Sequence, residues 1–293
     1  MLPAMNSAAP ETTSTPIELP DRSDFSERLF QILPRADFDL SPVLNRSTNQ
    51  LYLIQQSGQE YLLKVYGNRE RFGDPQKRLS KEFFCLQSIR AENMAPELIG
   101  YDRSAEFMVM HFVRGRRVGD VISPDNYALI ARATGHWLAR FHGQFERREC
   151  GLSAWDYFLT RYRDRLRPEV FGSSCQRRLE AEPLPYAVFA KNDAHKQNFL
   201  IASEAPVSNH NCGYHIYGID YEFARYTPPQ FELAELARSL SRERIAPLKP
   251  LVDCILEGYS SEQGTLPLAA SWTEVIETLV HANIAYLTEK KHE

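Results

Sequence analysis

Apolar and polar positions alternate in the first third of the chain in the manner of paired strands. Residues 50–56 and 60–66 are two strand-like runs, and Ser57 and Gly58 between them are typical of a tight turn. A third strand-like run covers residues 106–113. Together these runs predict a small antiparallel sheet.

A helical spacing replaces this alternation in much of the remaining chain. In residues 76–90 apolar side chains recur every three or four positions, which predicts an amphipathic helix. Ser123 followed by Pro124 is typical of a helix start, and the helical spacing continues to Phe145. The C-terminal half is therefore predicted to be helical apart from the hairpin described below. Its further predicted helices are 155–166, 230–240, 248–259 and 268–287.

Composition narrows the classes of protein that fit. The chain has 293 residues, of which 43% are hydrophobic and 25% charged, as is ordinary for a globular protein. A net charge of -4 gives no overall attraction to nucleic acid or anionic membrane, and no apolar run approaches the ~18 residues of a membrane span. Five cysteines without C-x-x-C spacing argue against a disulfide framework or a zinc site. We expect a cytoplasmic protein that binds neither nucleic acid nor membrane. Nothing in the pattern specifies an oligomeric state.

Two carboxylates and an amide mark a second predicted hairpin. Residues 199–202 and 215–219 are short apolar runs with the composition of strands. If they pair in antiparallel fashion, Asn198 and Asp220 meet at the open end, and Asp193 lies on the loop leading into it. Mg²⁺ prefers carboxylates and other hard oxygen ligands beside substrate phosphates. Asn198 and Asp220 are therefore candidate magnesium ligands, and Asp193 is left free to orient a hydroxyl group and accept its proton.

The same two blocks resemble known kinases. The D-x-x-x-x-N spacing followed by a strand-terminal Asp resembles the kinase catalytic core. More closely, residues 193–201 resemble the D-x-H-x-x-N-x-L-x signature of aminoglycoside phosphotransferases and choline/ethanolamine kinases, and residues 218–224 resemble their G-x-I-D-[WF]-E-x-A run. The resemblance extends weakly over about residues 40–240. It implies an α+β, protein-kinase-like two-lobed fold, with a small N-terminal antiparallel sheet lobe and a larger, mostly helical C-terminal lobe.

The resemblance also implies a division of the chain into domains. Residues 1–22 are rich in Ser, Thr, Pro and Ala, show no secretory signal, and are predicted to form a disordered leader. Residues 23–113 would then be the nucleotide-binding lobe. Residues 114–293 would be the catalytic and substrate lobe.

A lysine and a glutamate in the N-terminal half support this reading independently. Lys64 lies among apolar residues of the second strand, a position that is more often solvent-facing. Glu82, however, falls within the apolar stripe of helix 76–90, where an unpaired charge would be costly. Lys64 is its natural partner. The resemblance implies that this pair holds the α- and β-phosphates of ATP.

Two further segments acquire a role from the resemblance. Residues 45–52 occupy the place of a glycine-rich loop and resemble the S-x-x-T-N-x-x-Y run of the small-molecule kinases. Ser47, Thr48 and Asn49 would there donate hydrogen bonds to phosphate oxygens. Taken alone, the segment would favour a polar turn with a capping role, and its position ahead of Lys64 gives it the functional interpretation.

The second segment precedes Gly115 and corresponds to the hinge between the lobes. Met110, His111, Phe112 and Val113 occupy it, and their backbone atoms are expected to contact adenine. His111 alone would be an ordinary, partly buried histidine.

Two positions leave alternatives open. Lys191 stands where the family usually has His, and it would serve a structural or solvent-facing role or stabilise the transferring phosphate. Glu232 would be either an exposed carboxylate near a helix N-terminus or a functional residue. The chain lacks a glycine-rich loop and has Lys191 in place of His. Together these two differences leave an alternative function open, a catalytically weak pseudokinase that acts as a nucleotide-binding or regulatory module. A protein kinase is disfavoured, since H-R-D, D-F-G and A-P-E motifs are lacking.

The resemblance therefore implies an ATP- and Mg²⁺-dependent phosphotransferase that moves the γ-phosphate to a hydroxyl of a small molecule. An amino sugar, an amino alcohol and a neutral sugar all remain candidate acceptors. Carboxylates and aromatic rings would suit a cationic acceptor, although such residues are common enough to occur there by chance. The candidate lining residues are Asp156, Tyr157, Tyr162, Glu222, Tyr226, Asp253 and Glu257.

Overall fold

A computed structural model describes most of the chain as an antiparallel sheet followed by a mostly helical part. Residues 1–21 of the predicted leader lie outside the described residues, and Arg22 begins the first helix. The predicted domain boundary after Val113 stays a prediction. The described residues are 22–33, 39–43, 49–67, 69–89, 93–162, 172–202, 214–242, 245–261 and 271–289.

The N-terminal part contains a five-stranded antiparallel sheet in the spatial order β1-β2-β3-β5-β4. The predicted hairpin is formed by β2 and β3. Its turn places Ser57 at φ 51° and Gly58 at φ 79°, the pair of positive values that a type I′ turn requires. Strands β1 and β4 were not predicted and form the two edges. The strands are β1 Asp39–Pro42, β2 Gln50–Gln56, β3 Gln59–Val65, β4 Leu98–Asp102 and β5 Phe107–His111.

Alternation along β3 gives the two faces of this sheet different partners. Leu63 and Val65 point to one face, where they pack with Phe107 in a small apolar core. Lys64 points to the other face, toward the third helix of the chain. The strand period therefore directs this cation into the protein, although its neighbours along the strand are apolar.

That helix, α3, extends over Pro75–Ser88 and corresponds to the predicted helix 76–90. Asp74 caps its first turn by accepting a hydrogen bond from the Gln76 amide (3.0 Å). Pro75 occupies the first helical position, where a missing N–H costs nothing. The cap and the apolar stripe fix which face of α3 meets the sheet. The two helices before it are α1 Arg22–Ile32 and α2 Arg69–Phe72.

The long helix of the C-terminal part begins later than predicted. Helix α5 extends over Tyr127–His142, so the expected start at Ser123 and Pro124 is too early. The side chain of Asn126 accepts a hydrogen bond from the Ser123 amide (2.7 Å), which holds residues 123–126 in a turn of their own.

Two three-stranded sheets in this part correct the expectation of a C-terminal half that is helical apart from the predicted hairpin. The hairpin itself is β9 and β10, with β6 beside β9. The other sheet has the order β11-β8-β7. Strand β8 was not predicted from the sequence, because it begins with two prolines in three residues and proline normally argues against a strand. These strands are β6 Gly115–Arg117, β7 Arg148–Ser153, β8 Pro183–Ala190, β9 Phe199–Ala202, β10 Ile216–Gly218 and β11 Arg225–Thr227.

Helices α5 and α9 approach so closely that their backbones touch. A Cβ atom on Gly135 of α5 would lie 2.2 Å from the Ile255 carbonyl oxygen, and one on Gly258 of α9 would lie 2.0 Å from the Arg132 carbonyl oxygen. Only glycine fits at either place.

No helix in the described ranges has the length and apolarity to cross a bilayer. The helices are α4 Val118–Val121, α5 Tyr127–His142, α6 Ala154–Tyr162, α7 Ser173–Glu180, α8 Pro229–Ser241, α9 Leu248–Ser260 and α10 Trp272–Glu289.

Candidate active site

An ion pair between the sheet and α3 forms one side of the site. The Nζ atom of Lys64 lies 2.6 Å from Oε2 of Glu82, and both side chains are buried. The hydroxyl of Tyr66 donates a second hydrogen bond to the same carboxylate oxygen (2.7 Å). The pair expected from the sequence is thus present, and Tyr66 restrains the carboxylate in addition. The role of the pair toward ATP stays a prediction.

The same ammonium group reaches two carboxylates from the C-terminal part. Oδ1 of Asp220 lies 2.6 Å and Oε2 of Glu222 lies 3.6 Å from Nζ of Lys64. Glu222 also accepts hydrogen bonds from Nδ2 of the Asn49 side chain (2.8 Å) and from Nη1 of Arg78 (3.3 Å). The sheet, α3 and the end of the hairpin therefore meet in one buried charge network.

Glu222 and Arg78 were not predicted as members of this network. Glu222 was considered as an acceptor-lining residue, whereas its side chain is only 2% exposed and lies on the Lys64 side of the site. The sequence carried a signal for Arg78, because it lies four residues before Glu82 and therefore on the same face of α3.

The charges in this network shift one another's pKa values. Burial alone would lower the pKa of Lys64, but the charges of Asp220, Glu82 and Glu222 outweigh burial and raise it above its usual range. Burial alone would raise the pKa of Asp220, but Lys64 and Lys191 outweigh burial and lower it. Burial raises the pKa of Glu82, against the attraction of Lys64. At neutral pH the network therefore has a charged ammonium facing an ionised Asp220.

The predicted phosphate loop is only partly described. Ser47 and Thr48 lie outside the described residues. Asn49 is buried, and its amide group joins Glu222 and Arg78 (3.1 Å) within the network. Its position beside Lys64's partners fits a place near the phosphate site, and donation to phosphate stays a prediction.

The predicted hinge segment follows the end of β5. Met110 is buried in the core, and the His111 amide donates to the backbone oxygen of Glu97 (2.8 Å). The Phe112 amide donates to the backbone oxygen of Glu60 (3.0 Å). These two backbone donors are therefore engaged within the protein, and contact of this segment with adenine stays a prediction.

The loop before β9 brings Asp193 and Asn198 together. Nδ2 of Asn198 donates to Oδ2 of Asp193 (2.7 Å) and to its backbone oxygen (3.2 Å). The Ile219 amide donates to the backbone oxygen of Asn198 (3.0 Å), so the hairpin register sets Asp220 at the same end. Asp220 has φ 66°, a left-handed conformation that turns the chain sharply. The open end of the hairpin thus gathers the three residues that the sequence analysis assigned to it.

The buried carboxylate of Glu232, on α8, binds the backbone of the loop that leads to Asp193. Oε1 of Glu232 accepts a hydrogen bond from the Asn192 amide (2.6 Å), and Oε2 accepts one from the Lys191 amide (3.2 Å). Nε2 of His142 lies 2.7 Å from Oε2 of Glu232, and Nδ1 of His142 lies 2.9 Å from the Tyr259 hydroxyl. Glu232 is 2% exposed, so the interpretation as an exposed helix carboxylate is wrong. Three helices therefore position the two residues that precede Asp193.

Lys191 is fully buried, so the solvent-facing alternative is also wrong. Its Nζ atom donates to the backbone oxygen of Asp220 (2.5 Å) and to that of Asp193 (3.2 Å). It lies 5.4 Å from the ring centroid of Tyr221. One ammonium group therefore joins the backbones that carry the two central carboxylates.

We expect Lys191→Met to lower both stability and turnover. The substitution keeps an unbranched side chain but leaves the Asp220 carbonyl unpaired, which costs about 1–3 kcal/mol of unfolding free energy. Because both aspartates lose a common support, kcat should fall more than KM rises. Denaturant unfolding and steady-state kinetics measure the two effects. The exposed Lys77→Met is the matched control, with a change within about 0.5 kcal/mol. Equal effects of the two substitutions would contradict this account of Lys191.

The donor atoms of the site suit a hard divalent cation. Carboxylate oxygens of Glu82, Asp220 and Glu222 lie within 4.8 Å of one another. The side chain of Asp220 is 28% exposed, whereas those of Glu82 and Glu222 are 2% exposed, so Asp220 is the most accessible of the three carboxylates. Since Nδ2 of Asn198 is bound to Asp193, its Oδ1 is the atom left for a cation. These oxygens fit Mg²⁺, which takes one or two protein ligands beside phosphates and water.

Comparison with known proteins shows the family. The model of the phosphotransferase enzyme family matches residues 39–261. The chain therefore belongs to this family of phosphotransferases. No curated protein sequence matches it significantly.

Solved structures share the fold at low sequence identity. A choline/ethanolamine kinase family protein from Mesorhizobium loti has a TM-score of 0.59 and 14% identity, covering 90% of this chain and 83% of that one. Choline kinase from Cryptosporidium parvum has a TM-score of 0.53 and 15% identity, covering 87% and 89%. An aminoglycoside-3'-phosphotransferase of type VIII has a TM-score of 0.54 and 15% identity, covering 91% and 99%. The predicted two-lobed, protein-kinase-like α+β fold is confirmed.

Proposed function

We propose that the protein transfers the γ-phosphate of ATP, in the presence of Mg²⁺, to a hydroxyl group of a small molecule. The observation that carries the proposal is the convergence of Asp193, Asn198 and Asp220 at the open end of one hairpin, opposite the ammonium group of Lys64. Membership of the phosphotransferase enzyme family supports the reaction class.

On the nucleotide side, the network supplies a fixed positive charge. Lys64 is held by Glu82, which Tyr66 restrains in turn, so the ammonium group is oriented before a nucleotide arrives. When bound, Mg²⁺ would be held by Asp220 and Asn198 and would neutralise phosphate charge. Preorganised charges of this kind stabilise a transferring phosphoryl group without reorganising during the reaction.

On the acceptor side of the proposed reaction, Asp193 receives the proton of the acceptor hydroxyl. Oδ2 of Asp193 accepts a hydrogen bond from Asn198. In the proposed reaction, Oδ1 of Asp193 accepts the hydrogen bond from the acceptor hydroxyl. The acceptor oxygen forms the new bond to phosphorus, the bond from phosphorus to the bridging oxygen of ADP breaks, and the hydroxyl proton passes to Asp193. Burial raises the pKa of Asp193, against the charge of Lys191, so the carboxylate is a stronger base than an exposed aspartate.

The test is a transfer assay with radiolabelled ATP and a panel of amino sugars, amino alcohols, neutral sugars and hydroxy acids. We expect labelled product from at least one class, with Mg²⁺ and not with a chelator present. Binding of ATP without transfer to any acceptor, and without ATP hydrolysis, would favour the pseudokinase alternative.

A further inference from the structure

Two arginines lie near the proposed catalytic base, and neither has a carboxylate partner among the residues that the structure describes. Nη1 of Arg161, on α6, donates to Oδ1 of Asn192 (2.7 Å), and Asn192 directly precedes Asp193. In the described part of the chain, no carboxylate lies within ion-pair distance of Arg161 or Arg225. Their environment therefore differs from that of the buried Arg78, which has Glu222.

The register of β11 places Arg225 next to the same loop. Arg225 pairs with Ala190, two residues before Asn192. The hydroxyl of Thr227 donates to Oδ1 of Asn192 (3.2 Å), the atom that also accepts from Arg161. Since side chains two apart on a strand share a face, Arg225 projects from the face of β11 that meets Asn192.

Arg161, on α6, and Arg225, on β11, approach the same loop, which carries Asn192. Burial lowers the pKa of Arg225, and the charge of Arg161 lowers it further. Arg225 is exposed and Arg161 is partly exposed, so a small molecule can reach both. Two like charges that have no carboxylate partner among the described residues are stabilised when an anion binds near both.

The carboxylates considered for a cationic acceptor are already engaged. Asp156 accepts from the Ser153 hydroxyl (2.7 Å), and lies five residues before Arg161, about 140° away around the helix. Glu222 belongs to the buried network. On α9, Asp253 binds Lys249 (2.8 Å) and Glu257 binds Arg132 (2.7 Å).

We propose that the phosphate acceptor carries an oxyanion, a carboxylate or a phosphate ester, which Arg161 and Arg225 bind while its hydroxyl group meets Asp193. This inference rests on the proposed phosphotransferase function. Guanidinium groups suit it, because their paired N–H donors match the oxygens of carboxylates and phosphates. The arginines select the acceptor, and Asp193 acts on it.

Matched acceptors that differ only in charge test the inference. Glycerol, glycerate, glycerol 3-phosphate and 3-amino-1,2-propanediol form one series, and glucose, glucuronate, glucose 6-phosphate and glucosamine form another. We expect kcat/KM for an anionic member to exceed that for its neutral and cationic counterparts by about tenfold or more. The carboxylate and phosphate arms show which oxyanion is preferred. Equal or better use of a neutral or cationic member overturns the inference.

A binding measurement decides the question if none of these compounds is phosphorylated. Sulfate is titrated calorimetrically into the full chain saturated with Mg²⁺ and a non-hydrolysable ATP analogue, so that the nucleotide site is filled. We expect Arg225→Gln to weaken sulfate binding by about tenfold or more. Arg148→Gln is the matched control, because Arg148 lies over the ring of Tyr226, whose side chain projects from the opposite face of β11 (3.6 Å to the centroid). Equal sulfate affinity in the parent and both variants overturns the inference.

The two proposals fail in different ways. If no nucleotide binds and no phosphate is transferred, the proposed function fails, while sulfate titration of the parent and Arg225→Gln still reports on the arginines. If transfer depends on Asp193 but ignores acceptor charge, only the inference about the acceptor fails. For an anionic acceptor, we expect Arg225→Gln to raise KM far more than it lowers kcat, as expected of a residue that binds rather than reacts.

Discussion

Asp193→Asn is expected to retain ATP binding while kcat falls by about 10²–10⁴-fold, the contribution typical of general-base catalysis. The substituted amide can still accept the hydrogen bond from Asn198 but cannot take the acceptor proton. Steady-state transfer and nucleotide titration measure the two effects separately. Near-parental transfer by this variant would remove Asp193 from the role of base.

Stability gives a control for this variant. Burial raises the pKa of Asp193, so its contribution to stability is present below the unfolded pKa and is lost as pH rises through the folded pKa. At neutral pH in a chelator the ionised carboxylate is therefore a cost, and Asp193→Asn should unfold at a temperature no lower than the parent. A large loss of stability would mean that lost turnover reports misfolding.

Asp220→Asn is expected to abolish the part of ATP's thermal stabilisation that depends on Mg²⁺ and to reduce turnover by about 10²–10³-fold. Asn is chosen because it tolerates the left-handed backbone at φ 66°, and because Lys64 keeps Glu82 as a partner. Ligand stabilisation follows RT ln(1 + [L]/Kd), so about 2.7 kcal/mol is expected at a hundredfold excess over Kd in the parent.

The measurement compares the unfolding temperature in ATP plus Mg²⁺ with that in ATP alone, separately for each variant. Any effect of the substitution on the stability of the protein itself therefore cancels. Asp253→Asn is the matched control, since Asp253 lies on α9 with Lys249 and outside the network. If the magnesium increment survives in Asp220→Asn and matches that of the control, Asp220 does not bind the metal.

The hairpin and its polar ends were predictable because their pattern is local. The strands β9 and β10 are apolar runs joined by a polar segment of the sequence. Antiparallel pairing of the two strands alone brings residues 198 and 220 to one end. Likewise, a carboxylate inside the apolar stripe of α3 required a cation, and Lys64 was the strand residue that fitted.

Other parts of the site depend on contacts that no local pattern encodes. Glu232 is separated by 90 residues from His142 and by 40 from Asn192, yet it joins both. The burial of Lys191 depends in the same way on where the backbones of Asp193 and Asp220 come to lie. A sequence shows the charge of such residues but not the groups that surround them.

By itself, the sequence determined the hairpin, the meeting of Asn198 and Asp220 at its open end, and the pairing of Lys64 with Glu82. Each of these follows from strand or helix periodicity and from the cost of a buried charge. The tertiary structure alone decided that Lys191 joins two loops from inside the protein, and that Arg161 and Arg225 approach the loop that carries Asn192 and Asp193. Such relations depend on where distant segments of the backbone meet, and electrostatic interactions depend on that distance and on burial.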